Sequence, residues 1–476
     1  MKTSLPKQTS SGESSGESSG KSMMQESDLA RAIHALRTGA RRLRSLEAAI
    51  KNQTLLTLAE KIHASTTAIL RANQLDLDQL SGSTPPAFRD RLTLNPARID
   101  SMCESLRQVA QLPDPVGEVV ETRSLANGLK LRRVRAPLGV ILMIFESRPN
   151  VILEAFSLAY KSGNVIALRG GSDSQHTAKV LYQIIHESIG ASSTHFVFGF
   201  TDYNRAHVRF LLSRPDLVDI VVPRGGEKLI AFVQEHARMP IIKNDRGLCH
   251  AYVDDSADLE MAVEIVINAK TQRPGVCNSL ETVLIQKSVA NRFFERFIHR
   301  FNKPASSRPP HLEIRACAVA FTLISQIVNS AANSVSNSIA NEAPGRRQRD
   351  SELNSGGLKI VPASETDWNT EHLDLILNAR VVDDLDQAIS FIERHSSKHS
   401  ETIITADENK ARRFQNEIDS AAVYWNASTR FTDGFEFGLG GELGISTQKL
   451  HVRGPVGLRE LTTPRWLIDG SGQTRK

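Results

Sequence analysis

The sequence contains a cysteine whose surroundings are compatible with nucleophilic chemistry: Cys277, in the segment TQRPGVCNSLET. Pro274 and Gly275 interrupt the pattern just after a predicted helix, so the thiol is expected in an accessible loop. A free thiol has a pKa of about 8.5, and basic neighbours such as Arg273 or Lys270 would favour its reactive thiolate. The residues alone leave two interpretations, a nucleophile that forms a covalent intermediate or a structural thiol.

Groups that could bind negative charge occur at two other places. Asn150 ends the segment ESRPN directly after an apolar run, where open α/β sheets contact their ligands. Its amide could donate a hydrogen bond to an oxyanion, or it could cap the following helix. Arg148, beside it, and Arg430, in NASTRFTDG, are predicted either to bind a phosphate or carboxylate or to form surface ion pairs.

Two glycine turns that follow apolar runs suggest a nucleotide site. Arg169 closes VIALR and precedes two glycines and Ser172; a cation and a hydroxyl there can bind a 2′-phosphate, which would favour NADPH. Gly225 and Gly226 precede a helix, so the main chain can approach a phosphate whose charge the helix N-terminus favours. An ordinary turn remains the alternative for both, because no G-x-G-x-x-G motif follows the first strand.

These residues need a rigid frame, and the pattern between residues 139 and 245 predicts one. The runs GVILMIF, VIALR, HFVFGF, LVDIVVP and MPIIKND alternate with helical segments, which is typical of a parallel sheet covered on both faces. A second stretch begins at HAYVDD and passes through a helix to the cysteine loop and the strand TVLIQ. The predicted fold class is α/β, with a doubly wound unit at residues 28–245 and a second α/β unit at 246–440.

Three further segments have distinct patterns. Residues 1–27 are a Ser/Gly-rich tail predicted to be disordered, and helices follow from Asp28 to about Leu80. Asn127 and Gly128 predict the turn of a two-stranded arm at about 118–136. Residues of about 302–357 are rich in Ser, Asn, Pro and Arg, which predicts a variable insertion with loop character.

Composition narrows the function classes. The net charge of +5 over 476 residues is mild and scattered, which disfavours nucleic acid, and Arg41, Arg42 and Arg44 are expected on a solvated helix face. No run approaches the roughly 20 apolar residues of a spanning helix, and no secretory signal pattern occurs at the start. The expected location is the cytosol. The four cysteines lack metal-like spacing, so they are predicted to be free thiols, with no metal site.

Seven ordered blocks between about Ala30 and Ile468 resemble the gamma-glutamyl phosphate reductase family, a branch of the aldehyde dehydrogenase superfamily. The blocks are LGVILMIFESRPNV, GNVIALRGG, DIVVPRGGEKL, NAKTQRPGVCNSLET, WNTEHLDLIL, DSAAVYWNASTRFTDG and EFGLGGELGISTQKLHVRGPVGLRELTT. The resemblance implies an aldehyde dehydrogenase-like fold: a cofactor domain, a catalytic domain with the thiol, and a homo-oligomer built by the β-arm and a C-terminal return at residues 441–476.

The resemblance also implies roles for single residues. Cys277 would be the nucleophile and Asn150 the oxyanion donor; Arg148 and Arg430 would bind the anionic groups of the substrate. The cofactor NADPH would be held by Arg169, Ser172, Gly225 and Gly226, and by Glu371 at the nicotinamide ribose. His372, Trp425 and Phe435 depart from the expected family residues, which affects the expected shape of the pocket.

The implied activity is the reduction of L-glutamate 5-phosphate to its semialdehyde in proline biosynthesis, through a cysteine thioester. Hydrolytic aldehyde dehydrogenases carry a carboxylate base in an E-L-G-G block, where this chain has Lys243 to Arg246 with Asp245 as its only acidic residue. An NAD-linked hydrolytic semialdehyde dehydrogenase and a non-enzymatic binding protein are the alternatives. Coupling to a glutamate 5-kinase is a hypothesis that rests on the lability of the acyl phosphate.

Overall fold

The computed structural model describes residues 24–146, 148–190, 195–243, 246–302, 311–336, 353–355 and 357–475. The predicted disordered tail therefore lies almost entirely outside the described residues. Within them, no helix is both long enough and apolar enough to cross a membrane.

Five helices precede the sheets, and the first three of them lie in the region from about Asp28 to Leu80 for which the apolar spacing predicted helices. Leu29, Ile33 and Leu36 of the first helix are buried, whereas Arg41, Arg42 and Arg44 are exposed, which confirms the solvated face. The helices are α1 (Glu26–Arg44), α2 (Ala48–Ala64), α3 (Thr66–Asp78), α4 (Pro86–Leu92) and α5 (Pro96–Gln111).

A three-stranded antiparallel sheet forms the arm. The hairpin of β1 (Val119–Ser124) and β2 (Lys130–Pro137) turns at Asn127 and Gly128, and Gly128 adopts a φ of 88°, which glycine tolerates best. The last strand of the chain, β17 (Thr462–Asp469), pairs with β2 along its whole length. The arm therefore joins an early and a late part of the sequence.

The first α/β unit is a four-stranded parallel sheet in the order β5-β4-β3-β6. Its central strand β3 is buried at every position, as expected when helices cover both faces. Its strands are β3 (Val140–Phe145), β4 (Val165–Arg169), β5 (Val197–Gly199) and β6 (Ile220–Arg224), and its helices are α6 (Val151–Lys161), α7 (Gln175–Ile189), α8 (Arg205–Leu212) and α9 (Glu227–His236).

The second unit is an eight-stranded sheet in the order β10-β11-β9-β12-β8-β7-β13-β14, parallel except for β10. Its strands are β7 (Cys249–Val253), β8 (Leu280–Gln286), β9 (Leu312–Ala316), β10 (Leu353–Ser355), β11 (Leu358–Pro362), β12 (Ile376–Val382), β13 (Ser400–Ile404) and β14 (Ala422–Trp425). Its helices are α10 (Leu259–Thr271), α11 (Lys287–Asn302), α12 (Ala318–Ser336), α13 (Leu385–His395) and α14 (Glu408–Glu417).

The end of the chain returns to the first unit. After a short pair of strands, β15 (Ile445–Ser446) and β16 (Gly454–Pro455), the chain enters β17. Leu443, Val456 and Leu461 are buried in the same apolar core as the four-stranded sheet. The division of the chain at residues 245 and 440 stays a proposal, although the two sheets have separate cores.

Two predictions about local structure are wrong. The loop character expected for about 302–357 fails for β9 and α12, because Leu312, Ile314 and Ile324 are buried in the core of the second sheet. Polar residues on their outer positions conceal this apolar pattern in the composition. The run MPIIKND is not a strand; only Ile241 forms an isolated bridge with Val221.

Candidate active site

Cys277 lies in the loop between α10 and β8, at the amino end of β8. The thiol is partly accessible. Arg148, which follows β3, and Arg224, which ends β6, are close enough to Cys277 to lower its pKa. The carboxyl ends of the four-stranded sheet and the amino end of a strand in the eight-stranded sheet therefore contribute to one cleft around the thiol.

The electrostatic environment keeps Cys277 protonated at neutral pH. Burial, followed by the charges of Glu371 and Glu442, raises the pKa of the thiol to about 11, whereas Arg224 and Arg148 oppose this rise. Lys270, predicted as a cation that favours the thiolate, is instead buried and donates to Glu281 at 3.1 Å. The two cations that lower the pKa of the thiol most, Arg224 and Arg148, come from the other sheet.

The main chain of Cys277 is held by the residues that begin β7. A Cβ atom on Gly247 would lie 1.5 Å from the carbonyl oxygen of Cys277, so the contact requires glycine. The thiol of Cys249 donates to the same oxygen at 3.3 Å, and burial raises the pKa of Cys249 well above its usual value. Cys249 is therefore a packed thiol, and its neighbour His250 binds Glu401 at 3.0 Å.

The carboxylate of Glu371 also contacts Gly247. Its Oε1 accepts a hydrogen bond of 2.7 Å from the Gly247 N–H. Burial raises the pKa of Glu371, while this hydrogen bond lowers it. The predicted cofactor residue and the predicted nucleophile thus contact the same glycine, although the two lie far apart in the sequence.

Asn150 occupies the position that precedes α6. Its side chain makes no capping hydrogen bond, its own φ of −58° is already helical, and the residue is exposed. The capping interpretation is therefore wrong. The amide remains available to a ligand at the carboxyl end of β3, two residues from Arg148.

The two predicted anion-binding arginines are both partly buried. Burial, followed by repulsion from Arg224, lowers the pKa of Arg148 to about 10, and burial lowers the pKa of Arg430. Neither guanidinium forms an ion pair with a residue that the structure describes. The surface ion-pair interpretation therefore has no support here.

Arg430 is positioned by the cysteine loop itself. Its Nε donates to Gln272 at 2.8 Å, and its Nη1 donates to the side-chain oxygen of Asn278. The amide nitrogen of Asn278 in turn donates to the carbonyl of Thr432 at 2.8 Å. The loop that carries the thiol and the segment around Arg430 are therefore one connected unit.

The predicted nucleotide residues lie along one edge of the four-stranded sheet. Arg169 ends β4, is partly buried and donates to the carbonyl of Tyr203 at 2.8 Å, while Ser172 is exposed. Gly225 follows β6, and Gly226 precedes α9, with no atom within 4 Å of a Cβ built on it. The N–H of Gly226 donates to a carboxylate, Oε2 of Glu146, at 3.0 Å.

Arg224 and Glu442, which act on the thiol, and Glu154, which lies beside Arg224, were not predicted from the sequence. Arg224 donates to the carbonyl of Glu442 at 3.2 Å and lies 3.7 Å from the carboxylate of Glu154. Burial raises the pKa of Glu442 to about 7 and also raises the pKa of Glu154. Only the block EFGLGGELG marks Glu442 in the sequence, and nothing local relates it to Cys277.

Comparisons with known proteins place the chain in a family. The model of the aldehyde dehydrogenase family matches residues 14–462. A gamma-glutamyl phosphate reductase from Opitutus terrae is 44% identical over 457 residues, which are 94% of this chain and 99% of that protein. One from Aquifex aeolicus is 44% identical over 448 residues, or 93% and 95% of the two chains. The chain belongs to the gamma-glutamyl phosphate reductase family.

A solved structure of the family agrees with the fold. The crystal structure of gamma-glutamyl phosphate reductase from Thermotoga maritima matches with a TM-score of 0.82 at 38% identity, covering 94% of this chain and 100% of the other. The predicted aldehyde dehydrogenase-like fold and the resemblance drawn from seven blocks are confirmed. The chain is therefore an enzyme, an oxidoreductase of the aldehyde dehydrogenase superfamily.

Membership of the gamma-glutamyl phosphate reductase family implies a nicotinamide cofactor, and the edge of the four-stranded sheet fits one. The carboxylate of Glu146 at the Gly226 N–H demonstrates that an anion is accommodated there. The Nε of Arg169 is buried without a partner among the described residues. A helix N-terminus and an unsatisfied guanidinium are suitable contacts for phosphate groups.

The residues that depart from the family pattern have different surroundings. Trp425 donates its ring N–H to the carbonyl of Thr405 at 3.0 Å, and His372 Nε2 lies 3.1 Å from Asn378 Oδ1. Phe435 is 41% exposed, in the segment that follows Arg430 and Asp433. Of the three, only Phe435 is therefore an exposed large apolar side chain.

Proposed function

We propose that this enzyme reduces L-glutamate 5-phosphate to L-glutamate 5-semialdehyde with NADPH and releases phosphate, the second step of proline biosynthesis from glutamate. The relatives that are 44% identical over nearly the whole chain carry the name of this reductase. The observation that carries the proposal is the position of Cys277 among the cations Arg148 and Arg224, where an acyl phosphate would bring its negative charge next to a thiol.

The first step is an acyl transfer to Cys277. The sulfur forms a bond to the γ-carbonyl carbon, the carbon–oxygen bond to phosphate breaks, and a thioester remains on the enzyme. Asn150 and the main-chain N–H of Cys277 would donate hydrogen bonds to the oxyanion. The thiol has to lose its proton, and Glu442, with a pKa of about 7 beside the thiol, can accept it at neutral pH.

The second step reduces the thioester. Bound NADPH would supply a hydride to the thioester carbonyl carbon, which would leave a thiohemiacetal oxyanion on Cys277. This oxyanion re-forms the carbonyl as the carbon–sulfur bond breaks, which releases the aldehyde and restores the thiolate. We assign Arg148 and Arg430 to the anionic groups of the substrate, because both guanidinium groups are near the thiol and neither has an ionic partner among the described residues.

The residues that we assign to the phosphate groups of the cofactor lie at the carboxyl end of the four-stranded sheet. Arg169 and Ser172 would contact the 2′-phosphate, which favours NADPH over NADH. Gly225 and Gly226 would admit the diphosphate at the start of α9, and Glu371 would hold the nicotinamide ribose.

Further proposals concern the location of the enzyme, its oligomeric state and its coupling to another enzyme. We place it in the cytosol as a homo-oligomer, and the exposed Val119, Trp466 and Ile468 of the arm sheet are suitable for contact with another subunit. Functional coupling to a glutamate 5-kinase would limit hydrolysis of the labile acyl phosphate.

The reverse reaction tests the proposed function. Purified enzyme with glutamate 5-semialdehyde, NADP⁺ and phosphate should form NADPH, and a Cys277→Ala variant should not. Formation of NADPH without phosphate would instead identify a hydrolytic semialdehyde dehydrogenase. That alternative depends on a carboxylate base, and the aligned Asn244 and Asp245 lie outside the described residues.

A further inference from the structure

A carboxylate occupies the middle of a site that is proposed for a polyanion. Glu146 directly follows β3, the strand that lies between β4 and β6 in the sheet. Its main-chain N–H donates to the carbonyl of Arg224 at 3.2 Å, so its main chain is fixed beside β6. Its side chain then reaches the start of α9, where Oε2 accepts the Gly226 N–H at 3.0 Å.

The surrounding residues make room for this carboxylate. A Cβ atom on Gly225 would lie 2.5 Å from Glu146 Oε2, so the absence of a side chain at this position admits the carboxylate. Gly226 provides no side-chain cap for α9, and Glu146 accepts the N–H of Gly226 itself, one of the unpaired donors at this helix end. The charge of Glu146 also acts on the guanidinium of Arg169, so the carboxylate interacts with both proposed phosphate contacts.

The same N–H cannot bind Glu146 and a diphosphate at once. We propose that Glu146 is a placeholder anion that occupies the N-terminus of α9 in the free enzyme and is displaced by the diphosphate of the dinucleotide cofactor. This inference rests on the proposed function, because it requires the cofactor to bind at Gly225 and Gly226. Glu146 then sets the affinity for the cofactor by competing for its site.

Competition of this kind favours large ligands over small anions. A dinucleotide gains contacts at Arg169 and along the sheet edge that offset the displacement of Glu146. Orthophosphate, a product of the proposed reaction, or pyrophosphate gains few contacts beyond the helix N-terminus. The carboxylate therefore keeps small anions out of the cofactor site while the cofactor still enters.

The test compares Glu146→Gln with a matched control, Glu227→Gln. Glu227 is the first residue of α9, and its 78% exposed side chain lies 3.7 Å from Arg246 and does not bind the Gly226 N–H. Both substitutions remove one negative charge near the same helix end, and both sites are exposed. Titration calorimetry with NADPH at constant ionic strength measures binding directly, without turnover.

Glu146→Gln should bind NADPH roughly threefold to tenfold more tightly than wild type, and Glu227→Gln should differ by less than about twofold. Pyrophosphate should compete with NADPH more strongly in Glu146→Gln by a similar factor. Equal gains in both variants, or weaker NADPH binding by Glu146→Gln, would overturn the inference. If none of the three proteins binds NADPH, the proposed function fails and the inference fails with it.

Discussion

The N–H of Gly247 donates a 2.7 Å hydrogen bond to the carboxylate of Glu371, while the Cα of the same glycine lies against the carbonyl of Cys277. A single main-chain segment therefore separates the proposed cofactor residue from the proposed nucleophile and contacts both. Any shift of this segment changes the position of the thiol and the environment of the carboxylate together.

Gly247→Ala should displace the proposed nucleophile, Cys277. The added methyl would lie 1.5 Å from the Cys277 carbonyl oxygen, so the cysteine loop has to move, and a displacement of about 1 Å costs on the order of 100-fold in activity. Steady-state assay of the reverse reaction measures the loss. Gly275→Ala, in the same loop, is the control, because its nearest atom would be 3.7 Å away. Similar activity losses in the two variants would contradict this explanation.

Glu371→Gln should make the thiol more reactive. After burial, Glu371 is the largest cause of the raised pKa of Cys277, so its neutralisation lowers that pKa from about 11 and increases the thiolate fraction at pH 8. Alkylation of the Cys277 peptide by iodoacetamide, followed by mass spectrometry, should be roughly threefold to tenfold faster. The exposed Glu365→Gln, in the same connection between β11 and β12, should leave the rate unchanged. An unchanged or slower rate in Glu371→Gln would refute the prediction.

Asn150→Ala should separate binding of the oxyanion from reactivity of the thiol. The side chain is exposed and makes no capping bond, so the fold should persist. Loss of an oxyanion donor lowers kcat by about 100-fold to 1000-fold, whereas the alkylation rate of Cys277 should remain that of the wild type. Activity within about threefold of the wild type would exclude Asn150 as an oxyanion donor.

His399 should make the enzyme less stable in mild acid. Burial alone lowers the pKa of this histidine to about 4, compared with about 6.5 in the unfolded chain. Because the unfolded chain then binds the proton first, stability is lost as the pH falls from about 6.5 towards 4. At pH 5 the loss is about 2 kcal/mol relative to pH 8.

Urea unfolding of the wild type and of His399→Gln at pH 8 and pH 5 measures this contribution. The variant lacks the titrating ring, so its free energy of unfolding should fall less between the two pH values. The difference between the two falls should be about 2 kcal/mol. An equal fall in both proteins would show that the pKa of the His399 ring is not lowered in the folded state.

Local sequence patterns predicted the elements whose residue types are restricted by turn geometry or by burial. Apolar runs predicted β3, β4 and β6, and Asn127 with Gly128 predicted the hairpin, because turn geometry and burial on both faces restrict residue types directly. The strand β9 and helix α12 were missed, since their outer positions carry the Ser, Asn and Arg that dominate the local composition. The polar residues of the exposed face therefore concealed the apolar pattern of the buried face.

The sequence indicated which residues belong to the site, but it did not indicate which of them lie close together. Cys277 was evident from its loop, and the family blocks indicated Asn150 and Glu371. The proximity of Arg224 and Glu442 to the thiol depends on two sheets meeting, which no local pattern records. The same is true of Glu146 at Gly226, where 80 residues separate the partners of one hydrogen bond.

The pairing of β17 with β2 also bears on how the chain is made. Ribosomal synthesis proceeds from the N-terminus, so β2 emerges long before Thr462–Asp469, its second neighbour in the sheet. At about 5–20 residues per second, this interval is on the order of tens of seconds. During it the nascent hairpin exposes an unpaired edge that can pair with other chains, so nascent chains stalled before Thr462 are expected to be the species most in need of a chaperone.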